Sequence, residues 1–380
     1  MDLKKEALEL HLKHKGKLEV ISKIPIKNRH TLSLAYTPGV AEACMEIFRN
    51  KENVYKYTIK QNSVAVVSDG SAVLGLGNIG AEASIPVMEG KCILMKEFAN
   101  IDAFPICVKT QEPDEIIRLV RNISPVFGGI NLEDISAPRC FKIEDELQDL
   151  GIPVFHDDQH GSAIIVYAAL LNSAKVVKKE LADMRIVISG AGAAGTGITR
   201  VLYDKVKDIL VCDRTGIISR DRKDLNPYKK RLSEITNKQN KKGLLKDALI
   251  GADVFIGVSA PNIVKREMIK SMNKKAIVFA MANPIPEIMP DEAKKGGALV
   301  IGTGRSDFPN QINNLLAFPG IFRGALDTRA KRITKEMKLA AALALAKYVK
   351  NPTPNHVLPD PLDKKMAFVV AKAVEKVARK

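Results

Sequence analysis

The amino-acid sequence predicts an α/β protein with two parts: an N-terminal α/β domain over residues 1–160 and a doubly wound, parallel-sheet domain over residues 161–380. Three observations carry this reading. The chain has 380 residues, more than the ~150 of one ordinary domain. Short apolar, strand-like segments alternate with helical ones, the pattern of a parallel sheet with crossover helices. The charge is also divided. Residues 1–160 hold 19 Lys and Arg against 23 Asp and Glu, whereas residues 161–380 hold 40 against 20, within an overall net charge of +16. A hydrophobic fraction of 46% with 27% charged residues is that of a globular chain and excludes a largely disordered one.

The elements follow in order. Leu3, Leu8, Leu10, Leu12 and Leu18 have helical spacing within a charged segment over 2–22. Strands are expected at 64–67, 91–95, 103–108 and 152–155, and then an apolar helix over 162–177 that acts as a hinge between the halves. The second half opens with a strand at 185–189, a glycine-rich turn and a helix to about Tyr203, followed by strands at 209–213, 254–258 and 276–280. An Ala/Leu/Lys-rich helix is expected over 324–349; Pro352, Pro354, Pro359 and Pro361 break it before a last helix over 363–379. No apolar run approaches the ~20 residues of a membrane span, so no membrane contact is expected. The first residues lack a basic-then-apolar leader, which predicts a cytoplasmic protein. Five widely spaced cysteines argue against a disulfide framework or a zinc knuckle.

The glycine-rich turn is Gly190-Ala191-Gly192-Ala193-Ala194-Gly195, a GxGxxG between strand and helix. Such glycines permit a tight turn and bring a pyrophosphate to the helix N-terminus, the fingerprint of a Rossmann-type dinucleotide site. Asp213 ends the next strand, where a carboxylate would bind the adenosine ribose. A second GxGxxG, Gly75 to Gly80, is separated from its strand by an Asp-Gly turn and reads as a loop that lets backbone lie close to an active site. Ten basic residues between Arg220 and Lys246 invite a nucleic-acid reading, but the stacking aromatics such binding needs are nearly absent there.

The remaining candidates are acids, amines and amides. Glu133-Asp134 and Asp157-Asp158 each close an apolar stretch; three of these carboxylates converging would make an all-oxygen site for Mg²⁺ or Mn²⁺, although acidic pairs are commonly surface or cap residues. His156 and His160 flank the second pair and read as structural. Lys91 and Lys96 border an apolar run, where burial could lower a lysine pKa enough for it to act as a base. Tyr36 sits beside a Pro-Gly turn, and Asn283 and Asn314 follow apolar stretches where ligands bind in such folds.

Taken in order, Tyr-Thr-Pro-Gly-Val-Ala at 36–41, Ser-Asp-Gly-Ser-Ala-Val-Leu-Gly-Leu-Gly-Asn-Ile-Gly at 68–80, Pro-Val-Met-Glu-Gly-Lys at 86–91 and Asp-Ala-Phe-Pro-Ile at 102–106 resemble the malic enzymes, in particular the short microbial form. The likeness continues through Asn-Leu-Glu-Asp at 131–134, His-Asp-Asp-Gln-His-Gly-Ser at 156–162, the 190–195 loop, Ala-Asn-Pro at 282–284 and Asn-Asn…Phe-Pro-Gly at 313–320. The resemblance implies oxidative decarboxylation of L-malate to pyruvate and CO₂ with NAD or NADP and a divalent metal. It implies Glu133, Asp134 and Asp158 as metal ligands, Lys91 as general base oriented by Asp157, and Tyr36 as general acid. It also implies Asn283 and Asn314 as substrate ligands, with Asn283, residues 190–195 and Asp213 at the cofactor, and a homodimer. Asp213 favours NAD over NADP; Arg214 and the basic stretch would allow some NADP use. The larger malic enzymes carry a substrate-binding Arg where this chain has Ala72; Arg139 and the asparagines are candidates to replace it. Two rival readings are a malolactic enzyme, which would release lactate, and a catalytically inactive basic protein binding nucleic acid or acting as a regulator.

Overall fold

A computed structural model describes residues 3–379. The first helices, α1 (Leu3–His14), α2 (Arg29–Ala35) and α3 (Val40–Arg49), contain no buried residue, and a short α4 (Val54–Tyr57) leads into the first sheet. That sheet is wholly parallel in the order β2-β1-β3-β4, from β1 (Ser63–Ser68), β2 (Asp102–Cys107), β3 (Gly129–Leu132) and β4 (Val154–His156). Burial on both faces explains why β1 reads as an unbroken apolar run rather than an alternating one.

One face of this sheet is covered by α6 (Pro113–Ile123) and α7 (Arg139–Leu147), through Ala65, Val67, Ile117, Ile130 and Phe141. The other is covered by α5 (Gly80–Ala99). The run at 91–95, expected as a strand, lies inside this helix. Its buried residues Ala81, Ser84, Met88, Cys92, Met95 and Phe98 recur every three or four positions, a helical stripe that overrides the short apolar cluster within it.

A long central helix, α8 (Asp157–Val177), starts five residues earlier than expected, so Asp157 and Asp158 form its first turn. By length and composition α8 could span a bilayer, which the sequence reading had not anticipated, but 67% of its apolar window is buried in the protein. It leads to the second sheet, in the order β10-β9-β8-β5-β6-β7. β5 (Arg185–Ser189), β6 (Asp208–Asp213), β8 (Val254–Gly257), β9 (Ala276–Ala280) and β10 (Ala298–Thr303) are parallel, and β7 (Gly216–Ile217) is an antiparallel edge. The winding reverses between β5 and β8. In a doubly wound sheet the ligand crevice lies there, beyond the carboxyl ends of the strands. On one face α9 (Ala193–Leu202) and α8 pack over Ile186 and Ile188. On the other, α11 (Leu245–Leu249), α12 (Arg266–Lys270) and α13 (Pro290–Lys295) cover Val187, Phe255 and Val278, while α10 (Pro227–Ile235) joins β7 to α11.

The helix expected over 324–349 is two helices, α14 (Phe318–Asp327) and α15 (Lys335–Tyr348), followed by α16 (Lys365–Ala378). Thr334 restarts the chain as an N-cap, its hydroxyl accepting from the Met337 amide at 3.3 Å. These helices reach back to the first sheet. Phe322 is fully buried, meets Phe155 edge-on at 5.8 Å and lies against Gly129, and Arg323 donates to Asn62 at 2.6 Å.

Candidate active site

The site forms at the carboxyl ends of the first sheet, where parallel strands deliver side chains to one rim. Asp69 follows β1, Glu133 and Asp134 follow β3, and Asp157 and Asp158 follow β4. α5 brings Lys91 to the same place. Its ammonium lies 2.6 Å from Asp157 Oδ2 and 3.0 Å from Glu133 Oε1, and 4.1 Å from the centre of the Phe318 ring of α14. Asp157 is wholly buried and Lys91 nearly so. Asn131 holds the other Glu133 oxygen by a hydrogen bond of 2.7 Å. Asn314, beyond the second sheet, donates to Asp157 Oδ2 at 3.1 Å.

Burial of charge is the governing feature. Glu133 is raised well above the usual carboxylate range, chiefly by burial, with Asp157, Asp158 and Asp134 adding repulsion and Lys91 opposing it. Burial pulls the Lys91 ammonium down, but attraction and hydrogen bonds from Asp157 and Glu133 outweigh it and hold its pKa above the usual lysine range. The expectation of a desolvation-lowered lysine therefore fails, because two carboxylates at 2.6 and 3.0 Å outweigh the burial.

Glu133, Asp134 and Asp158 each offer one oxygen, and these lie within 4.8 Å of one another. Asp158 Oδ2 is fixed by the Asp134 amide at 2.9 Å and lies 3.5 Å from His156 Nε2. Asp134 adopts a left-handed backbone, φ 53°, which a short acidic side chain tolerates. An all-carboxylate donor set of net negative charge suits a hard divalent cation. Arg139 is 3.5 Å from Asp69 Oδ2 and donates to Ser136 at 2.8 Å, on the rim next to Ala72, whose amide binds the Asp134 carbonyl at 2.9 Å.

Tyr36 is not brought to this cluster. It is 70% exposed at the end of α2 and makes no hydrogen bond to Lys91, Glu133, Asp157 or Asp158 among the described residues. Lys96 lies elsewhere on α5, paired with Asp102 at 2.8 Å.

The glycine loop meets the second sheet at its switch point. Gly190 has φ +116°, and a Cβ on Gly195 would overlap the Gly190 carbonyl, so both positions require glycine for this turn. α9 begins directly after Gly192, which caps it without a side chain, and the free amides of a helix N-terminus suit an anion. Asn283 follows β9, and a Cβ on Gly75 would overlap its carbonyl. The second GxGxxG is thus a close approach between the two halves of the chain. Glu287 braces this rim by accepting from the Ser259 and Ala282 amides at 2.8 and 3.0 Å. Asp213 ends β6 as expected, but its carboxylate is engaged by its own chain: Arg222 donates at 2.7 and 3.1 Å and Lys229 at 2.6 Å. Burial would raise this carboxyl, but these partners hold it well below the usual range. Arg214, by contrast, is exposed.

Asp69, Asn131, Phe318, Arg222, Lys229 and Glu287 were not singled out as site residues from sequence. Asp69 and Asn131 stand inside matched segments, and Arg222 and Lys229 inside the basic stretch, so position alone could have drawn attention to them.

A doubly wound dinucleotide-type sheet facing a buried lysine–carboxylate cluster defines an oxidoreductase site. The family model for the malic enzyme N-terminal domain matches residues 15–113 and 109–148, and that for the malic enzyme NAD-binding domain matches 159–379. The chain is 53% identical over 383 residues to a bifunctional malic/malolactic enzyme of Bacillus subtilis, covering 100% of this chain and 93% of that one. It is 55% identical over 367 residues to an NAD-dependent malic enzyme of Geobacillus stearothermophilus, covering 96% and 77%. Among solved structures, an NAD-dependent malic enzyme from Thermotoga maritima superposes with a TM-score of 0.94 at 49% identity, over 97% of this chain and 98% of that one. The NADP-dependent malic enzymes of Escherichia coli and Salmonella typhimurium are 45% identical, and this chain spans about half their length. The chain belongs to the malic enzyme family and is an NAD(P)-dependent oxidoreductase.

Replacing Lys91 by Met should leave two buried carboxylates without their cation and cost about 3–5 kcal/mol in urea denaturation. The double variant Lys91→Met/Asp157→Asn should recover part of that loss. A Lys91→Met protein as stable as the wild type would show that the ammonium does not hold the cluster together.

Proposed function

We propose that this chain oxidatively decarboxylates L-malate to pyruvate and CO₂, with Lys91 as the base at the substrate hydroxyl. The observation that carries the reading is the Lys91 ammonium buried between Asp157 and Glu133, beside the Glu133, Asp134 and Asp158 oxygens. When bound, NAD accepts the hydride from C2, and a divalent cation, Mg²⁺ or Mn²⁺, supplies Lewis-acid stabilisation of developing oxyanion charge. Glu133, Asp134 and Asp158 would hold that cation. Asp157 orients Lys91 and would accept one of its protons across 2.6 Å, and the amine so formed would take the hydroxyl proton as C2 is oxidised. Asn314, anchored to Asp157, and Asn283 bind substrate carboxylates, and Arg139 stands on the rim near Ala72. Phe318 covers the ammonium and excludes water. After C4 leaves as CO₂, C3 of enolpyruvate is protonated; Tyr36, exposed and away from the cluster within one chain, would serve as that acid once a second copy brings it to the rim.

The division of labour follows the chain. Residues 1–160 supply the base, the acid and most carboxylates, and residues 161–380 bind the cofactor through Gly190, Ala191, Gly192, Ala193, Ala194, Gly195, Asp213 and Asn283. A cytoplasmic location belongs to the same reading: all five cysteines are unpaired, three of them buried, which suits a reducing compartment.

An assay with L-malate and Mn²⁺ should show cofactor reduction and pyruvate; lactate without net reduction would replace this reading by the malolactic one. Glu133→Gln and Asp158→Asn should each weaken calorimetric Mn²⁺ binding at least tenfold and abolish turnover. Tyr36→Phe should spare hydride transfer more than pyruvate protonation. Full activity of either carboxylate variant in excess chelator would overturn the metal assignment.

NAD is the preferred cofactor in this proposal, because the Asp213 carboxylate suits ribose hydroxyls and repels a 2′-phosphate. Arg222 and Lys229 temper that repulsion. The ratio of kcat/KM should favour NAD in the wild type, and Arg222→Ala should lower NADP use more than NAD use. A tenfold preference for NADP would mean that the two cations outweigh Asp213.

A homodimer completes the proposal. α1, α2 and α3 bury nothing, and Leu8, Leu12, Leu34, Tyr36 and Phe48 are exposed along 3–49, an apolar surface suited to a second copy. Light scattering should give twice the 41.6 kDa chain mass, and Leu8→Glu/Leu12→Glu should shift it toward monomer. A fully active wild-type monomer would contradict this.

A further inference from the structure

A second cleft, of about 260 Å³, opens between α8, α9 and α15, outside the lysine–carboxylate cluster. Its charged lining is cationic: His160 from α8, Arg200 from α9, and Lys335 and Lys338 from α15, of which Lys335 is paired with Asp204 at 3.4 Å. The acid nearest to them is already engaged. Glu144 Oε1 is bound by His160 Nε2 at 2.6 Å, and its Oε2 accepts from Gln159 at 2.6 Å. The Lys338 amide donates to the Thr334 carbonyl at 3.1 Å, but its side-chain ammonium, with only part of the residue's surface open, makes no hydrogen bond or close ion pair among the described residues. Burial, opposed by Glu144 and aided by Arg200, lowers its pKa to about 8. Arg200 gives one donor to Gln159 Oε1 at 3.0 Å and lies over the Phe141 ring, which leaves donors on its guanidinium for another acceptor.

Glu144 acts on Lys338 and Asp145 on Arg200 only at longer range, so the ammonium beside the guanidinium has no carboxylate in direct contact and can take one from a ligand. The other walls are apolar or aromatic, from Ile164, Val201 and Leu339 with Tyr167 and Tyr203. A cleft with a cationic end and apolar walls selects a small organic carboxylate with an apolar body over a bare inorganic anion. Its position links it to the chemistry. His160 and Gln159 lie in the first turns of α8, which begins with Asp157 and Asp158, and Gln159 bridges Glu144 to Arg200. An anion drawing on Arg200 would compete for the Gln159 contact and bias the start of α8, where Lys91 finds its partner.

We propose that this cleft binds a small monocarboxylate with an apolar body, held by Lys338 and Arg200, and that its occupancy modulates turnover at the active site through α8. The modulation, but not the binding, rests on the function proposed above.

The test uses the full chain and phenylacetate as probe. Calorimetry without malate, Mn²⁺ or NAD should show saturable one-to-one binding. Lys338→Met and, separately, Arg200→Met should each weaken it at least tenfold while far-UV circular dichroism stays unchanged. 2-Phenylethanol, which lacks the charge, and acetate, which lacks the apolar body, should each bind at least tenfold more weakly than phenylacetate. Undiminished binding in both variants, or equal binding of either control, would overturn the site. With malate, Mn²⁺ and NAD, phenylacetate should change kcat by at least twofold in the wild type and leave Lys338→Met unaffected. Binding without that change would overturn the modulation alone, whereas a wild type that never turns over malate would count against the proposed function and not against the site.

Discussion

The structure depends on one buried contact, the Lys91 ammonium held between Asp157 and Glu133. Buried charges are tolerated only when paired at close range, so the fold must deliver three groups from three elements to a single point. A parallel sheet does this readily, because its strand ends lie side by side and the residues after β1, β3 and β4 share one rim. The helical stripe of α5 then carries Lys91 across the face of the sheet, and Phe318 of α14 closes the other side. The carboxylates remain in excess over the one ammonium. That surplus would suit a divalent cation, and it adds to the burial that raises Glu133.

The same constraint ties the two halves of the chain. α5 covers its face of the first sheet together with α14 and α16 from the end of the chain, which pack against it, and Phe322 reaches Phe155 and Gly129. Asn314 binds Asp157, and the Gly75 backbone approaches Asn283 too closely for any side chain. The cofactor crevice and the carboxylate cluster therefore face one another across contacts that leave little freedom. Such closeness suits a reaction in which hydride and proton leave adjacent atoms of one substrate.

Local chemistry was legible in the sequence, and convergence was not. The 190–195 loop announces itself because strand, glycines, helix and a following acid are contiguous. The strands at 64–67, 254–258 and 276–280 are short β-branched runs and lie where expected. Residues 91–95 misled because four apolar residues in a row resemble a strand; only the spacing from Ala81 to Phe98 reveals the helix. β3 went unrecognised because it is only four residues long and opens on glycine, and β10 because its apolar run was passed over. The acidic pairs were visible as candidates, but nothing in their spacing brings Lys91 within 3 Å of two of them. For the same reason the pairing of Asp213 with Arg222 and Lys229, nine and sixteen residues away, was visible only as a basic stretch.

In the proposed reaction an amine at the position of Lys91 Nζ moves the proton of the substrate hydroxyl, and chemical rescue probes that step. Lys91→Ala protein that retains Mn²⁺ binding is assayed with L-malate and NAD while methylamine, ethylamine and other small amines are added. Negligible activity is expected without amine and a saturable return with it, the rescued rate depending on the pKa of the amine. Activity that stays absent at every amine concentration, or that is already near the wild-type level without amine, would rule Lys91 out as the base.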